Sequence, residues 1–343
     1  MRAALLAAER HMTMIDAALP ALNHPDDVLI QVRTVGICGS EVHAFFGTHP
    51  TRHAPVILGH ETAGDVIAVG PAVTHFKPGD RVLVDPQWTC GKCEFCRRGE
   101  INLCPSKKVL GTQSWPGAFG EYFIAPEEAV FALPTNLTYA QGSLVEPLTV
   151  GVHVARRVNL QPGQSVAILG SGSIGNMVSA TCRAGGARTI IAADIRQHCL
   201  DAARERMGAT HDFLLPDPGF ADKVLALTSG EGVDASFITA DDPALVNTAI
   251  QITRRRGHIA LVALLTEAPL HFMAYPMIAR ELHLVGSTMA EYQDVRRAIE
   301  LASSGQVDVL GIATHTLPIE QAQRGMEMAH TKDDGAIKVL LNF

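Results

Sequence analysis

A short apolar run, Ser165-Val-Ala-Ile-Leu169, leads directly into Gly170-Ser-Gly172-Ser-Ile-Gly175, and a helical pattern follows over 174–184. That junction restricts the fold more than any other feature of the chain. The first glycine suits a tight turn, the second a close approach of backbone to a pyrophosphate, and the third close packing of helix on strand. The helix N-terminus at Ser173 and Ile174 then offers free N–H groups and partial positive charge to phosphates. The alternation continues with a strand over 189–193, a helix over 197–207 and strands over 233–238, 257–262 and 282–285. Strands alternating with helices imply parallel pairing through crossover helices, a doubly wound α/β sheet. Asp194 closes the strand after the glycine loop, about 20 residues on, where a carboxylate bonds ribose hydroxyls. Such a carboxylate repels a 2′-phosphate, so NAD is expected over NADP. Arg196 is a possible phosphate acceptor, read here as a solvated surface charge.

The first 150 residues follow another pattern. β-branched runs over 28–35, 64–70 and 81–84 are bounded by Gly, Pro or Asp, and Lys77-Pro-Gly-Asp80 is turn chemistry. The change comes at Glu146-Pro147, where Pro147 suits a first helical turn and Leu148, Val152 and Ala155 recur at helical spacing. Helices over 291–304 and 319–329 and a strand over 336–341 end the chain. A length of 343 residues exceeds one ordinary core, so at least two domains are expected. With 47% hydrophobic and 18% charged residues the chain is globular rather than disordered. A net charge of −7 and the lack of a dominant basic cluster argue against nucleic acid as a partner. The opening apolar run is too short for a signal-peptide core, and no run approaches the about 18 apolar residues of a membrane span.

Four cysteines, Cys90, Cys93, Cys96 and Cys104, follow C-x2-C-x2-C-x7-C spacing. Short gaps let four thiolates converge, which favours a closed tetrahedral zinc site. An iron–sulfur cluster is the weaker reading, since the C-P run after a short last gap is absent. Cys38, Cys182 and Cys199 are scattered, which suits reduced thiols in a cytoplasmic setting.

Three further segments hold metal-ligand types: Gly36-Ile-Cys38-Gly-Ser40-Glu41-Val-His43, Gly59-His60-Glu61 and Val145-Glu146-Pro147. One Cys, one His and one or two carboxylates match an open catalytic zinc site. Taken singly, each has a plainer reading: Cys38 as a small buried hydrophobe, His60 as a satisfied core histidine, and Glu61 and Glu146 as ion-pair or helix-start charges.

Taken together, and in this order with the four cysteines and the glycine loop, these motifs resemble the zinc-dependent medium-chain alcohol dehydrogenases over essentially the whole chain. The segment 146–157 is most similar to sorbitol and other polyol dehydrogenases, and 38–61 also resembles enzymes oxidising sugar acids. The resemblance implies a GroES-like β-rich catalytic domain over 1–150, with a structural zinc lobe at about 88–106. It implies a Rossmann NAD-binding domain over 151–288 and a C-terminal segment, 289–343, that completes the catalytic domain. It further implies a catalytic zinc held by Cys38, His60, Glu61 and Glu146, and a second zinc in the four-cysteine lobe. Ser40 is then expected to take the alcohol proton and pass it by way of the cofactor ribose to His43. Charge counting around a dication predicts that Glu61 and Glu146 do not both ligate it directly. Arg52, with His49 or His53, is a candidate contact for an anionic substrate, and Trp115 a candidate pocket wall.

The function expected is transfer of hydride from a secondary hydroxyl of a polyol or sugar acid to NAD⁺, in a cytoplasmic dimer or tetramer with no membrane partner. The arginine that many polyol dehydrogenases carry after the strand near Gly286 is missing from Gly286-Ser-Thr-Met-Ala290. Two alternatives stay open: a threonine or butanediol dehydrogenase, and a zinc-stabilised nucleotide-binding protein without turnover.

Overall fold

The computed structural model describes residues 1–265 and 269–343. The chain divides into two compact units. The first comprises Met1–Glu146, Glu291–Ser303 and Ala313–Phe343, and the second Pro147–Ala290 and Ser304–Ile312. The expected limits at 150 and 288 thus fall at 146 and 290, and residues 304–312 group with the second unit rather than with the rest of the C-terminal segment.

A mixed seven-stranded sheet organises the first unit. Its strand Asp27–Gly36 is buried along most of its length and pairs antiparallel with Glu61–Val69, Tyr122–Pro126 and Lys338–Asn342. A strand buried on both faces reads as a nearly continuous apolar run, and Val28-Leu-Ile-Gln-Val-Arg-Thr-Val35 nearly is one. At its end Gly36 faces Glu61 on one neighbour and Leu340 on the other. That register brings residues from positions 61 and 338 to the same end of one strand.

The opening residues form a strand, Arg2–Ala8, paired antiparallel with His11–Asp16. Leu6, Ile30, Phe45, Leu58, Phe119, Met326 and Leu341 belong to one hydrophobic core, so the C-terminal helix Ala322–Thr331 and the last strand pack with the N-terminal half. The cysteine-rich segment stands on two short strands, Gln87–Trp88 and Lys108–Val109.

The second unit is a six-stranded, wholly parallel sheet. Its order is His211–Leu214, Thr189–Asp194, Ser165–Leu169, Val233–Ile238, Thr253–Leu261 and His283–Gly286. The doubly wound arrangement expected from the sequence is therefore present. Separate apolar clusters, one including Ile168, Val178 and Phe237 and the other Leu169, Ile191 and Ile250, form its packed layers. Among the described residues no helix is long and apolar enough to cross a membrane.

Candidate active site

The segment around Cys38 turns from strand into helix. Cys38 keeps extended backbone (φ −87°, ψ 155°) and caps the helix Gly39–Phe45. Glu41, in the first turn, reaches back to accept the Cys38 backbone N–H at 2.7 Å, completing a capping box. Its other oxygen accepts the Gly59 N–H at 3.0 Å and lies 2.5 Å from His60 Nδ1. One fully buried carboxylate thus fixes the backbone at Cys38, the backbone at Gly59 and the His60 ring. Burial opposes its charge, yet His60 and then Arg52 pull Glu41 down to about 2. With Nδ1 bound to a carboxylate, His60 presents Nε2 as the ligating nitrogen.

Glu61 is held from the other side. Lys338, only 2% exposed, donates to both its carboxylate oxygens at 2.6 and 2.7 Å and to the Ile37 carbonyl at 3.0 Å. The pair lies beside Gly36 because that residue has no side chain. A Cβ there would sit 2.1 Å from Glu61 Oε2.

Donor atoms of Cys38, His60 and Glu61 lie within 4.8 Å of one another. Among the described residues Glu146 does not join that trio. It opens the helix Val145–Arg157, and burial raises its carboxyl to about 7, His60 opposing and Glu61 adding to the rise.

The charges around the trio decide what fits it. Cys38, Glu41, Glu61 and Glu146 are potential anions, and Arg52 and Lys338 are fixed cations. Fully ionised, the site is short of two positive charges, and buried unpaired charge is costly. One divalent cation closes that gap. A thiolate, an imidazole and a carboxylate as three ligands, with a position left open, are the donor set of a catalytic zinc. Burial works against a charged His60, but Glu41 beside it outweighs that and raises its pKa well above the ordinary value.

Ser40 and His43 lie one turn apart on the helix. Ser40 Oγ accepts from Arg52 Nη1 at 2.5 Å, and His43 Nδ1 is 3.0 Å from Thr48 Oγ1. Arg52 is buried, 4% exposed, and turned towards Ser40. His49 Nδ1 accepts the backbone N–H of Thr51 and Arg52, and burial followed by Arg52 lowers its pKa to about 4. His49 is therefore neutral, and His53 is exposed. The positive character expected of residues 47–53 thus comes from Arg52. Trp115 is buried. Its indole N–H donates to the Ile124 carbonyl at 2.6 Å, and it lines a cavity of about 220 Å³ with His24, Asp27 and Trp88.

In the four-cysteine lobe, sulfur–sulfur distances are 3.4 Å (Cys93–Cys96), 3.6 Å (Cys90–Cys104) and 3.9 Å (Cys90–Cys96). Tetrahedral zinc with bonds of about 2.3 Å spaces its sulfurs about 3.8 Å apart, so these distances suit the ion. None of the four is in a disulfide. The Lys92 and Cys93 N–H groups hold Cys90 below its usual pKa, as a ligating thiolate requires.

In the second unit Gly170 has φ +102°, and a Cβ on Gly175 would strike the Gly170 carbonyl at 1.8 Å. A Cβ on Gly172, the cap of the Ser173–Ala184 helix, would meet nothing. That is the open cradle a pyrophosphate needs at Gly172, Ser173 and Ile174. Asp194 accepts the N–H of Ser171 at 2.7 Å and of Arg196 at 2.9 Å. It lines a cavity of about 560 Å³ with Arg196, Phe220, Asp241, Asp242 and Leu245.

Comparison with known proteins bears on both sites. The family model described as alcohol dehydrogenase GroES-like domain matches residues 24–135, and the one described as zinc-binding dehydrogenase matches 173–304. A sorbitol dehydrogenase of Bacillus subtilis (strain 168) is 38% identical, covering 99% of this chain and 97% of its own. The D-xylulose reductase A of Aspergillus niger is 32% identical over 91% of this chain and 88% of its own. A Sinorhizobium meliloti 1021 protein solved with NADP bound superposes with a TM-score of 0.90 at 28% identity, covering 100% and 99% of the two chains. The chain belongs to the zinc-binding dehydrogenases of the alcohol dehydrogenase family, oxidoreductases acting on CH–OH groups with zinc and a nicotinamide cofactor.

Proposed function

We propose that this protein oxidises a secondary hydroxyl of a polyol, with NAD⁺ as acceptor, and reduces the corresponding ketone in reverse. The observation that carries this reading is the convergence of Cys38, His60 and Glu61 beside Ser40. The likeness to a sorbitol dehydrogenase and a xylulose reductase supports the polyol class. Cys38, His60 and Glu61 hold a catalytic zinc, with Glu146 in reserve beside it, and Cys90, Cys93, Cys96 and Cys104 hold a second, structural zinc.

A zinc held by Cys38, His60 and Glu61 would supply Lewis acidity, worth up to roughly 12 kcal/mol of charge stabilisation, and a nicotinamide cofactor held at the glycine loop would be the hydride acceptor. Glu41 orients the His60 ring, and Lys338 keeps Glu61 compact and charged. Ser40 Oγ accepts the substrate proton and passes its own on towards His43, whose imidazole can both accept and donate.

NAD is favoured over NADP because Asp194, Asp241 and Asp242 face Arg196 as the one cation among the described lining residues. A 2′-phosphate there would meet more negative than positive charge. The absence of disulfides among the described residues supports a reducing, cytoplasmic setting, and exposed Tyr275, Ile278 and Leu284 support burial against further copies, which we take to form a tetramer.

The missing arginine after Gly286 leaves room for a sugar-acid substrate, with Arg52 as the anion contact. NAD⁺ reduction measured against polyols, sugar acids, butanediol, threonine and simple secondary alcohols tests the reading. The highest kcat/KM on a polyol or sugar acid is expected. Turnover confined to threonine or butanediol, or none with both zincs bound, would contradict it.

A further inference from the structure

The buried guanidinium of Arg52 takes no part in the proton transfer described above, and a neutral polyol offers it no anion to hold. It lies in the loop between two ligand-bearing segments, yet its side chain turns back to Ser40. Its other hydrogen bond runs from Nη2 to the Leu110 carbonyl at 3.3 Å. Both are neutral acceptors. Among the described residues no carboxylate lies within 4.0 Å of it. Glu41, whose carboxyl Arg52 helps to hold low, already serves the Cys38 and Gly59 backbone and His60. Burying a guanidinium that makes no direct ion pair is costly, so a purely structural tie is a poor explanation for one. The loop is shaped to deliver it: His49 Nδ1 accepts the Thr51 and Arg52 N–H groups and closes the turn from which the side chain departs.

A serine hydroxyl has one donor and two lone pairs, and arginine only donates. The Nη1–Oγ bond therefore permanently occupies one lone pair of Ser40. One lone pair remains to accept a proton, and the single O–H must point to another group. The hydroxyl can then work in one sense only, receiving on one side and donating on the other.

We propose that Arg52 is a positioning residue for proton exit: it fixes the direction of the Ser40 hydroxyl and places a fixed cation behind it, where negative charge develops as the substrate oxygen loses its proton. This rests on the Ser40 relay described above. As the substrate O–H bond breaks, a new O–H forms on Ser40 Oγ, and the proton Ser40 held leaves to a water on the way to His43. Negative charge developing at the substrate oxygen is felt through Ser40 by Arg52. An interaction stronger in the transition state than in the ground state lowers the barrier rather than tightening binding. The effect of losing Arg52 should therefore appear in kcat.

The test compares wild type with Arg52→Met, Arg52→Lys and Arg52→Gln, reading kcat, KM, zinc per chain and the solvent deuterium isotope effect on polyol oxidation. Arg52→Met should lower kcat by about 10²–10³-fold, the cost of one transition-state donor. KM should stay within about threefold and zinc content unchanged, with a larger isotope effect as proton exit becomes slower. Lys and Gln, which still donate to Ser40, should fall between, and added guanidinium should partly restore Arg52→Ala. Unchanged kcat per bound zinc in Arg52→Met overturns the proposal. So does a loss confined to KM for acidic substrates, which would make Arg52 a substrate contact. If Arg52→Met fails to fold, Lys and Gln decide: kcat per zinc equal to wild type in both also overturns it. Wild type without dehydrogenase turnover defeats the proposed function itself, and is distinguishable from all of these.

Discussion

Two residues absent from the sequence-based site, Glu41 and Lys338, hold the ones that were expected. Both left a trace in the sequence. Glu41 stands three places after Cys38, the spacing of a capping box, just before a helix. Lys338 interrupts the apolar run Ala336-Ile-Lys-Val-Leu-Leu341, and a lysine inside a buried strand needs a partner. Neither trace names its partner, because His60 and Glu61 are reached only through tertiary pairing. The charge argument from sequence omitted Lys338 and Arg52, and with them a second carboxylate no longer leaves the inner site negative. Glu41→Gln keeps the shape but weakens the hold on His60, so zinc affinity at the inner site should fall about 10–100-fold in chelator competition. Asp85, away from the trio, makes a separate prediction. Burial raises it from 3.8 to about 8, Gln87 partly opposing and Glu146 adding to the rise. An acid with a raised folded pKa costs stability above its unfolded pKa, increasingly so until pH passes the folded one. Asp85→Asn should therefore stabilise the protein progressively from about pH 4 to pH 8 and then level off. Denaturant midpoints across that range check it, and a gain independent of pH would contradict it.

Elements built on strong periodicity were legible, and those built on pairing were not. The glycine loop, its strand and its helix were read at nearly their final bounds, since each local preference agreed with the fold. The edge strand His211–Leu214 was missed because it is short and starts on polar residues, as edge strands do. Thr253–Leu261 begins before its apolar run because Arg254, Arg255 and Arg256 extend it past a register shift against Val233–Ile238. Arg2–Ala8 reads as an apolar run of no fixed period and becomes a strand only against His11–Asp16. Two glycines make element-level predictions. Gly36→Ala would place a Cβ against Glu61, and its carboxylate must move. Inner-site zinc and turnover should drop while the four-cysteine zinc stays. Gly175→Ala pushes the helix from the Gly170 carbonyl, so the KM for NAD⁺ should rise more than about 10-fold with both zincs retained. Loss of zinc in Gly175→Ala, or unchanged KM, would count against that assignment of the loop.

At the scale of the molecule the chain joins two metal-binding patterns and one nucleotide-binding pattern, and only the four-cysteine set and the glycine loop are contiguous in sequence. The inner trio depends on a register in which the strand ending at Gly36 lies between the one starting at Glu61 and the one running Lys338–Asn342. No spacing rule gives that, which is why Cys38 and His60, each alone, read more simply as packing residues. Their meaning comes from convergence and from the two missing positive charges it creates. Zinc per chain, measured together with turnover in wild type and in Cys38→Ala, tests this most directly. The account predicts two zincs and polyol-dependent NAD⁺ reduction for wild type. It predicts one zinc, retained by the four cysteines, and turnover at least about 10³-fold lower for the variant. A variant that still holds two zincs, or turns over like wild type with one, would contradict it.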